Sequence, residues 1–240
     1  MVDRLDPGIR VRALDVATGP GTVARVLAHR IGPDGMIAAC DSSPAMIAQA
    51  ESHSAVTGDA PIAYTVSPAV PLPYPGQAFD LVTCQQGLQF FPDARAALSE
   101  MARVLVPGGK LAATVWCPPE ECAVFFAFQQ ALLEAGQPDL AALMATPFPR
   151  WTEADLVDRT RECGFRKVAV TTETRDLVFA GGIATAVAAF AGTPIGPMLA
   201  RLEPATSLAI TDAAQRTFAP LLDGSSVRGP MRSWILLATA

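Results

Sequence analysis

"RALDVATGPGTVARVLAHRIG", residues 12–32, begins as an apolar run, turns through glycines and continues with apolar residues at helical spacing. It reads as a buried strand, a tight turn and an amphipathic helix. A turn of this kind holds nucleotide-like ligands in parallel α/β sheets. Gly19-Pro20-Gly21-Thr22-Val23-Ala24 also fits the dinucleotide fingerprint G-x-G-x-x-A, a weak match taken alone. Two acids discriminate. Asp41 ends the next apolar run, twenty residues after Gly21, where a carboxylate can accept both hydroxyls of a ribose diol. Asp15 ends the first strand, where a negative charge repels a diphosphate and favours a sulfonium or an amino group. The structural alternative for Asp15 is a carboxylate that satisfies nearby backbone N–H groups.

Outward from this stretch, strand and helix signals alternate. "MIAACD" reads as a strand, and "SPAMIAQAESH" as a helix started by Ser43 with Pro44 in its first turn. "IAYTV" and "FDLVTCQ" are further strands; "ARAALSEMARVL" is a helix expected to stop at Pro107-Gly108-Gly109, and "KLAATVW" a fifth strand. The alternation predicts a doubly wound, mostly parallel α/β sheet. Residues 117–150 read as a helical insertion, "TEADLVDRTRECGF" as a helix capped by Thr152 and ended by Gly164, and "KVAVTTET" and "SWILLATA" as the last strands.

Half of the 240 residues are apolar and 17% are charged, enough for one domain with a full core. The net charge of −5 and the lack of any basic run argue against nucleic acid. Five scattered cysteines without a C-x-x-C pair, and two histidines not beside them, argue against a zinc site and for reduced thiols in a cytoplasmic protein. The charged "MVDRLDPG" does not read as a signal peptide. The uncharged stretch 177–200 is broken by glycines and prolines, which favours buried helices over a membrane span.

The blocks "LDVATGPG", "CDSSPAMI", "LPYPGQAFDLVTCQQGLQFFPD" and "EMARVLVPGGKL" follow one another as in the class I S-adenosylmethionine-dependent methyltransferases, and the chain resembles the ubiquinone/menaquinone-type branch, methyltransferase type 11. The resemblance implies a Rossmann-like seven-stranded sheet with an antiparallel last strand. It implies one domain over 1–240, with a donor-binding half (1–116), a helical cover (117–150) and a C-terminal part (151–240) completing sheet and pocket. S-adenosylmethionine is the implied cofactor. The turn from Asp15 through Ala17, Thr18 and Gly19 to Gly21 would hold its methionine part, Asp41 its ribose, and Ser42 and Met46 would lie beside the adenosine. Cys84 and Gln85 match the end of the fourth strand, facing the methionine moiety.

Two departures from the family stand out. Pro68 occupies the position where relatives carry an acid for the adenine amino group, leaving Ser67 and Ala69 to meet the ring. Relatives also carry a few dozen helical residues before the first strand, which here begins by residue 11. An open pocket, closure by another subunit in a homodimer, and a start lying upstream all remain as readings.

The implied acceptor is a hydrophobic small molecule, methylated at oxygen or carbon. Gln86, Gln89, Phe90, Trp116 and Phe148 are the expected substrate-pocket residues, and no metal is expected. No convincing general base is found. His29 and His53 read as helix-end residues and Asp93 as a helix start, leaving Gln85 and Gln86 as weak catalytic candidates that orient an acceptor. Two alternatives stay open: a non-methylating or binding protein on the same fold, and a nicotinamide-linked oxidoreductase.

Overall fold

The computed structural model describes residues 1–5, 8, 10–53, 55–148, 151–193 and 195–240. Four consecutive buried residues, Ala13 to Val16, make strand β1 (Arg12–Val16) a central strand, covered on both faces. It pairs in parallel with β2 (Met36–Asp41), with Asp15 beside Ala39, and with β4 (Phe79–Gln85), with Asp15 beside Thr83. Between β1 and β2 runs α1 (Thr22–Ile31); α2 (Pro44–Glu51) leads to β3 (Ile62–Val66), which flanks β2. After β4 come α3 (Ala94–Val104) and β5 (Leu105–Trp116), parallel to β4.

Next are α4 (Ala123–Glu134), α5 (Pro138–Ala145), α6 (Glu153–Glu162) and β6 (Arg166–Phe179). The chain continues through α7 (Gly182–Ala189), α8 (Gly196–Leu199), α9 (Pro204–Thr217), β7 (Leu222–Asp223) and β8 (Ser226–Thr239). The strand order is β3-β2-β1-β4-β5-β8-β6. The seven-stranded path expected from the sequence is therefore present, and the two-residue β7, antiparallel to β8, adds an eighth strand. Chain order reverses at β1, flanked by β2 on one side and β4 on the other. That is the switch point beside which such sheets bind ligands, outside the carboxyl ends of the strands.

Contacts divide the chain into two compact units: residues 1–115, 151–171 and 234–240, and residues 116–150 with 172–233. The first holds the Gly-rich turn. Its core sets the apolar stripe of α1 (Val23, Ala24, Leu27, Ala28, Ile31) against Ala13, Ile37, Ala39 and Leu81. Each fully buried Leu or Ile there contributes roughly 1.5–3 kcal/mol. The second unit joins the helical segment 117–150 with 172–233. Phe128 stacks on Phe190 at 4.0 Å, and Phe125 meets Phe190 edge-on at 5.2 Å, within a core completed by Ile210, Ala213, Ala214 and Phe218.

Local signals landed closely. Thr152 and Asp155 form a reciprocal capping box on α6, Ser43 caps α2 with Pro44 in the first turn, and Gly164 takes φ +94°. One boundary moved. Helix α3 ends at Val104 instead of running to Pro107, because Leu105 is buried as a strand residue beside Phe79 and Pro107 disfavours helix at the residue before it. The uncharged stretch 177–200 forms the end of β6, then α7 and α8. No helix among the described residues is long and apolar enough to cross a membrane.

Candidate functional site

A cavity of about 820 Å³ opens at the carboxyl ends of β1 to β4, within the range of small-molecule sites. Each strand supplies its following loop: Ala17 and Gly19 after β1, Asp41, Ser42 and Met46 from β2 and its helix, Ser67, Pro68, Ala69 and Val70 after β3, and Gln85, Gln86 and Gly87 at the end of β4. Phe90, Phe91, Pro92 and Asp93 complete the wall. Among the described residues that line it, the charged ones are Asp41 and Asp93, so the site suits a cationic or neutral ligand better than an anion.

Asp41 is built to present a carboxylate. Its Oδ2 accepts the Gly19 N–H and its Oδ1 the Ser43 N–H, each at 2.9 Å. Those bonds hold the group across the two loops, and each oxygen keeps a further lone pair for a diol. Gly19 has φ +55°, and a side chain added there would meet nothing within 4 Å. The turn thus bends through a left-handed residue and leaves open space above it.

Asp15 lies beneath the turn rather than on the cavity wall, and it is 1% exposed. Its carboxylate sits under the turn, accepting the hydroxyls of Thr83 at 2.6 Å and Thr18 at 2.7 Å. Burial pushes its pKa up to about 6, against lowering by the bonds from Thr83, Thr18 and the Ala24 N–H, with a further small rise from Asp41. Ala24 belongs to the first turn of α1, so this internal acid serves the helix end that a dinucleotide's pyrophosphate would otherwise use.

The turn's other amides are also committed. Thr18 donates to the Cys40 carbonyl, Gly19 to Asp41 and Gly21 to the Thr18 carbonyl, while Pro20 has no N–H. From Thr18 to Gly21, every backbone donor is used inside the protein. A phosphate finds no nest here.

Of the expected donor-binding residues, the structure brings Ala17, Gly19, Asp41, Ser42, Met46, Ser67, Ala69 and Gln85 together around the cavity. It leaves out Asp15, Thr18, Gly21 and Cys84. Thr18 and Cys84 are buried, and Gly21 is the helix cap, where an added side chain would lie 2.6 Å from the Tyr64 hydroxyl. Cys84 instead packs under Gly87, whose missing side chain would lie 2.7 Å from its sulfur. Burial raises the Cys84 pKa, so the thiol is inert there.

On the acceptor side, Gln86 and Phe90 line the cavity, whereas Gln89 stands behind, its Nε2 donating to Gln86 Oε1 at 3.0 Å. Gln86 holds φ +53° while its N–H donates to the carbonyl and hydroxyl oxygens of Thr114. Trp116 and Phe148 lie in the second unit, 6.3 Å apart, around Cys122 and Met231. They are core neighbours of one another, and neither lines this cavity.

Sequence reasoning missed Val70, Gly87 and Pro92 as lining residues. Small residues and prolines in loops carry no chemical signature, so only the neighbouring motif positions hinted at them. Ser67 Oγ donates to the Pro68 carbonyl at 3.0 Å and its N–H to the Asp41 carbonyl at 2.9 Å, so its hydroxyl is left to act as an acceptor. His29 pairs with Asp59 at 3.0 Å, His53 with the Gln49 carbonyl at 2.9 Å, and Asp93 caps α3 through the Ala96 N–H at 2.9 Å. All three act as helix-end residues, as the sequence suggests. No cluster of metal-ligating side chains occurs among the described residues.

Residues 14–113 match the methyltransferase domain family. Nocamycin O-methyltransferase of Saccharothrix syringae is 28% identical over 188 residues, covering 74% of this chain and 67% of that protein. Demethylmenaquinone methyltransferase of Thermus thermophilus is 38% identical over 112 residues, covering 47% of this chain; the match spans only 50% of that relative's length. Among solved structures, the YcgJ protein of Bacillus subtilis shares the fold with a TM-score of 0.63 at 19% identity, over 99% of this chain and 95% of that one.

Proposed function

We infer that this chain is a class I S-adenosylmethionine-dependent methyltransferase of the ubiquinone/menaquinone type, a reading supported by the match of residues 14–113 to the methyltransferase domain family and by the likeness to demethylmenaquinone methyltransferase. It transfers a methyl group from S-adenosylmethionine to a hydrophobic small molecule, at oxygen or carbon. The observation that carries this reading is the pattern of commitment around the Gly-rich turn. The backbone donors from Thr18 to Gly21 are used up and the lining charge is negative, so a cationic sulfur nucleoside fits where a diphosphate does not.

S-adenosylmethionine, when bound, supplies a methyl group already activated on a positively charged sulfur. The chain's residues then have to hold, align and exclude water. Asp41 takes the ribose hydroxyls. Ser42, Met46, Ser67 and Ala69 surround the adenosine, with the Ser67 hydroxyl available as an acceptor for the adenine amino group. Ala17, Gly19 and Gln85 meet the methionine part. Gln86 orients the acceptor through its amide, held from behind by Gln89, and Phe90 and Phe91 offer it an apolar wall. The partners proposed are an uncharged apolar acceptor and a second copy of the chain, with no nucleic acid. The five free cysteines fit a cytoplasmic setting.

Separate titrations with S-adenosylhomocysteine and NADH test the reading. Binding of the sulfur nucleoside without NADH is expected, as is formation of S-adenosylhomocysteine from S-adenosylmethionine across a panel of phenols and quinols. Binding of NADH alone overturns it.

A further inference from the structure

We propose that the protein self-associates through antiparallel pairing of β6 with β6 of a second copy, about a two-fold axis at Thr174. Strand β6 ends the sheet order, so one of its edges has no neighbouring strand among the described residues. It is fourteen residues long, contains no proline, and none of its residues is fully buried. Edge strands are normally short or interrupted, because a long free edge offers a ladder of backbone donors and acceptors to another chain.

The charges along this edge would ordinarily keep a second strand away. Here their order makes the edge complementary to itself. Glu173 and Arg175 flank Thr174 on one face of the strand and already pair at 2.9 Å. With Thr174 on the axis, Glu173 of each copy faces Arg175 of the other, and the two pairs make a cluster of four charges alternating in sign. The same register sets Thr172 opposite Asp176, which Arg228 holds at 3.1 Å, and Val170 opposite Val178, which is 43% exposed.

A two-fold axis through a β ladder brings residues of the same face together, so the nearest alternative registers are centred on Glu173 or Arg175. The first opposes glutamate to glutamate and the second arginine to arginine. Like charges directly opposite are destabilising, so the register centred on Thr174 is favoured over both of its neighbours. The contact is isologous and closes on itself, yielding a dimer rather than a fibre.

The test is sedimentation of the full chain at concentrations up to about 100 μM, with circular dichroism and S-adenosylhomocysteine binding as controls of fold. The wild type is expected to dimerise. Glu173→Arg and Arg175→Glu each place two like-charge contacts in the dimer and are expected to weaken it by roughly tenfold or more. The double reversal recreates both opposite-charge pairs and is expected to recover dimerisation to within about threefold. Thr174→Arg, which sets two arginines on the axis, gives a second route to a monomer. The proposal is overturned by a wild type that stays monomeric, by a dimer indifferent to the single reversals and to Thr174→Arg, or by a folded double variant that does not recover.

Discussion

Replacing Asp15 by Asn tests how the Gly-rich turn is held. Asn keeps the shape, and its amide can still accept from one threonine hydroxyl and donate to the other, but it carries no charge. The Asp15 pKa stands at about 6 against an ordinary 3.8, chiefly because burial disfavours the charged form. A folded-state value above the unfolded one means that this group's stabilising contribution is complete below pH 3.8 and is lost as the pH rises through 6. The full difference is roughly 3 kcal/mol at 1.36 kcal/mol per unit. Between pH 8 and pH 5 about 1.4 kcal/mol of it returns.

The assay is urea unfolding of wild type and Asp15→Asn at several values from pH 5 to pH 8. Exposed carboxylates titrate alike in both proteins, so the difference between the two curves isolates Asp15. The variant should gain on the wild type as the pH rises, by about 1.4 kcal/mol over that interval. A difference that stays flat, or that moves the other way, refutes the burial argument. A cation bound above the turn favours the ionised acid, so S-adenosylmethionine is expected to reduce the wild-type pH dependence.

Three further outcomes are expected. Asp41→Ala should weaken S-adenosylhomocysteine by roughly 1.5–3 kcal/mol, because a charge-assisted contact to the diol is lost and the Gly19 and Ser43 N–H groups lose their acceptor; calorimetric titration reads it. Gly19→Ala should cost about 1–2 kcal/mol of stability for its left-handed backbone. Its methyl group projects into the space above the turn, so thermal melts should show a modest loss beside a roughly tenfold or larger fall in ligand affinity. Gly87→Ala drives a methyl group to 2.7 Å from the Cys84 sulfur and 2.9 Å from the Ala17 side chain. Overpacking there should cost about 1–3 kcal/mol, seen as a lower Tm even without ligand.

The strands, the turn and the caps were legible because each rests on residues close together in the chain. Ser43-Pro44, Thr152 with Asp155, and Asp93 announce helix starts by local hydrogen bonding, and the structure places a helix behind each. The convergence of the candidate residues on one cavity was legible for a related reason. Loops at the carboxyl ends of parallel strands must converge, so Gly19, Asp41, Ser67 and Gln85 meet around one cavity although they are far apart in sequence. The aromatic residues expected around an acceptor were less so. An aromatic side chain looks the same whether it faces a core or a pocket, and Trp116 and Phe148 face a core in the second unit.

By itself the sequence determined the period of each element, the alternation that makes a parallel sheet, and the two acids beside a glycine bend. Those follow from propensity and spacing, which act over a few residues. Only the tertiary structure decided what each acid does. Thr83 reaches Asp15 from 68 residues away and turns it into an internal acceptor, while Asp41, bridged to the turn by the Gly19 N–H, stays at the cavity wall. The division arises because burial, and with it the choice between a charge that meets a ligand and one that holds a loop, is set by long-range packing that no local pattern records.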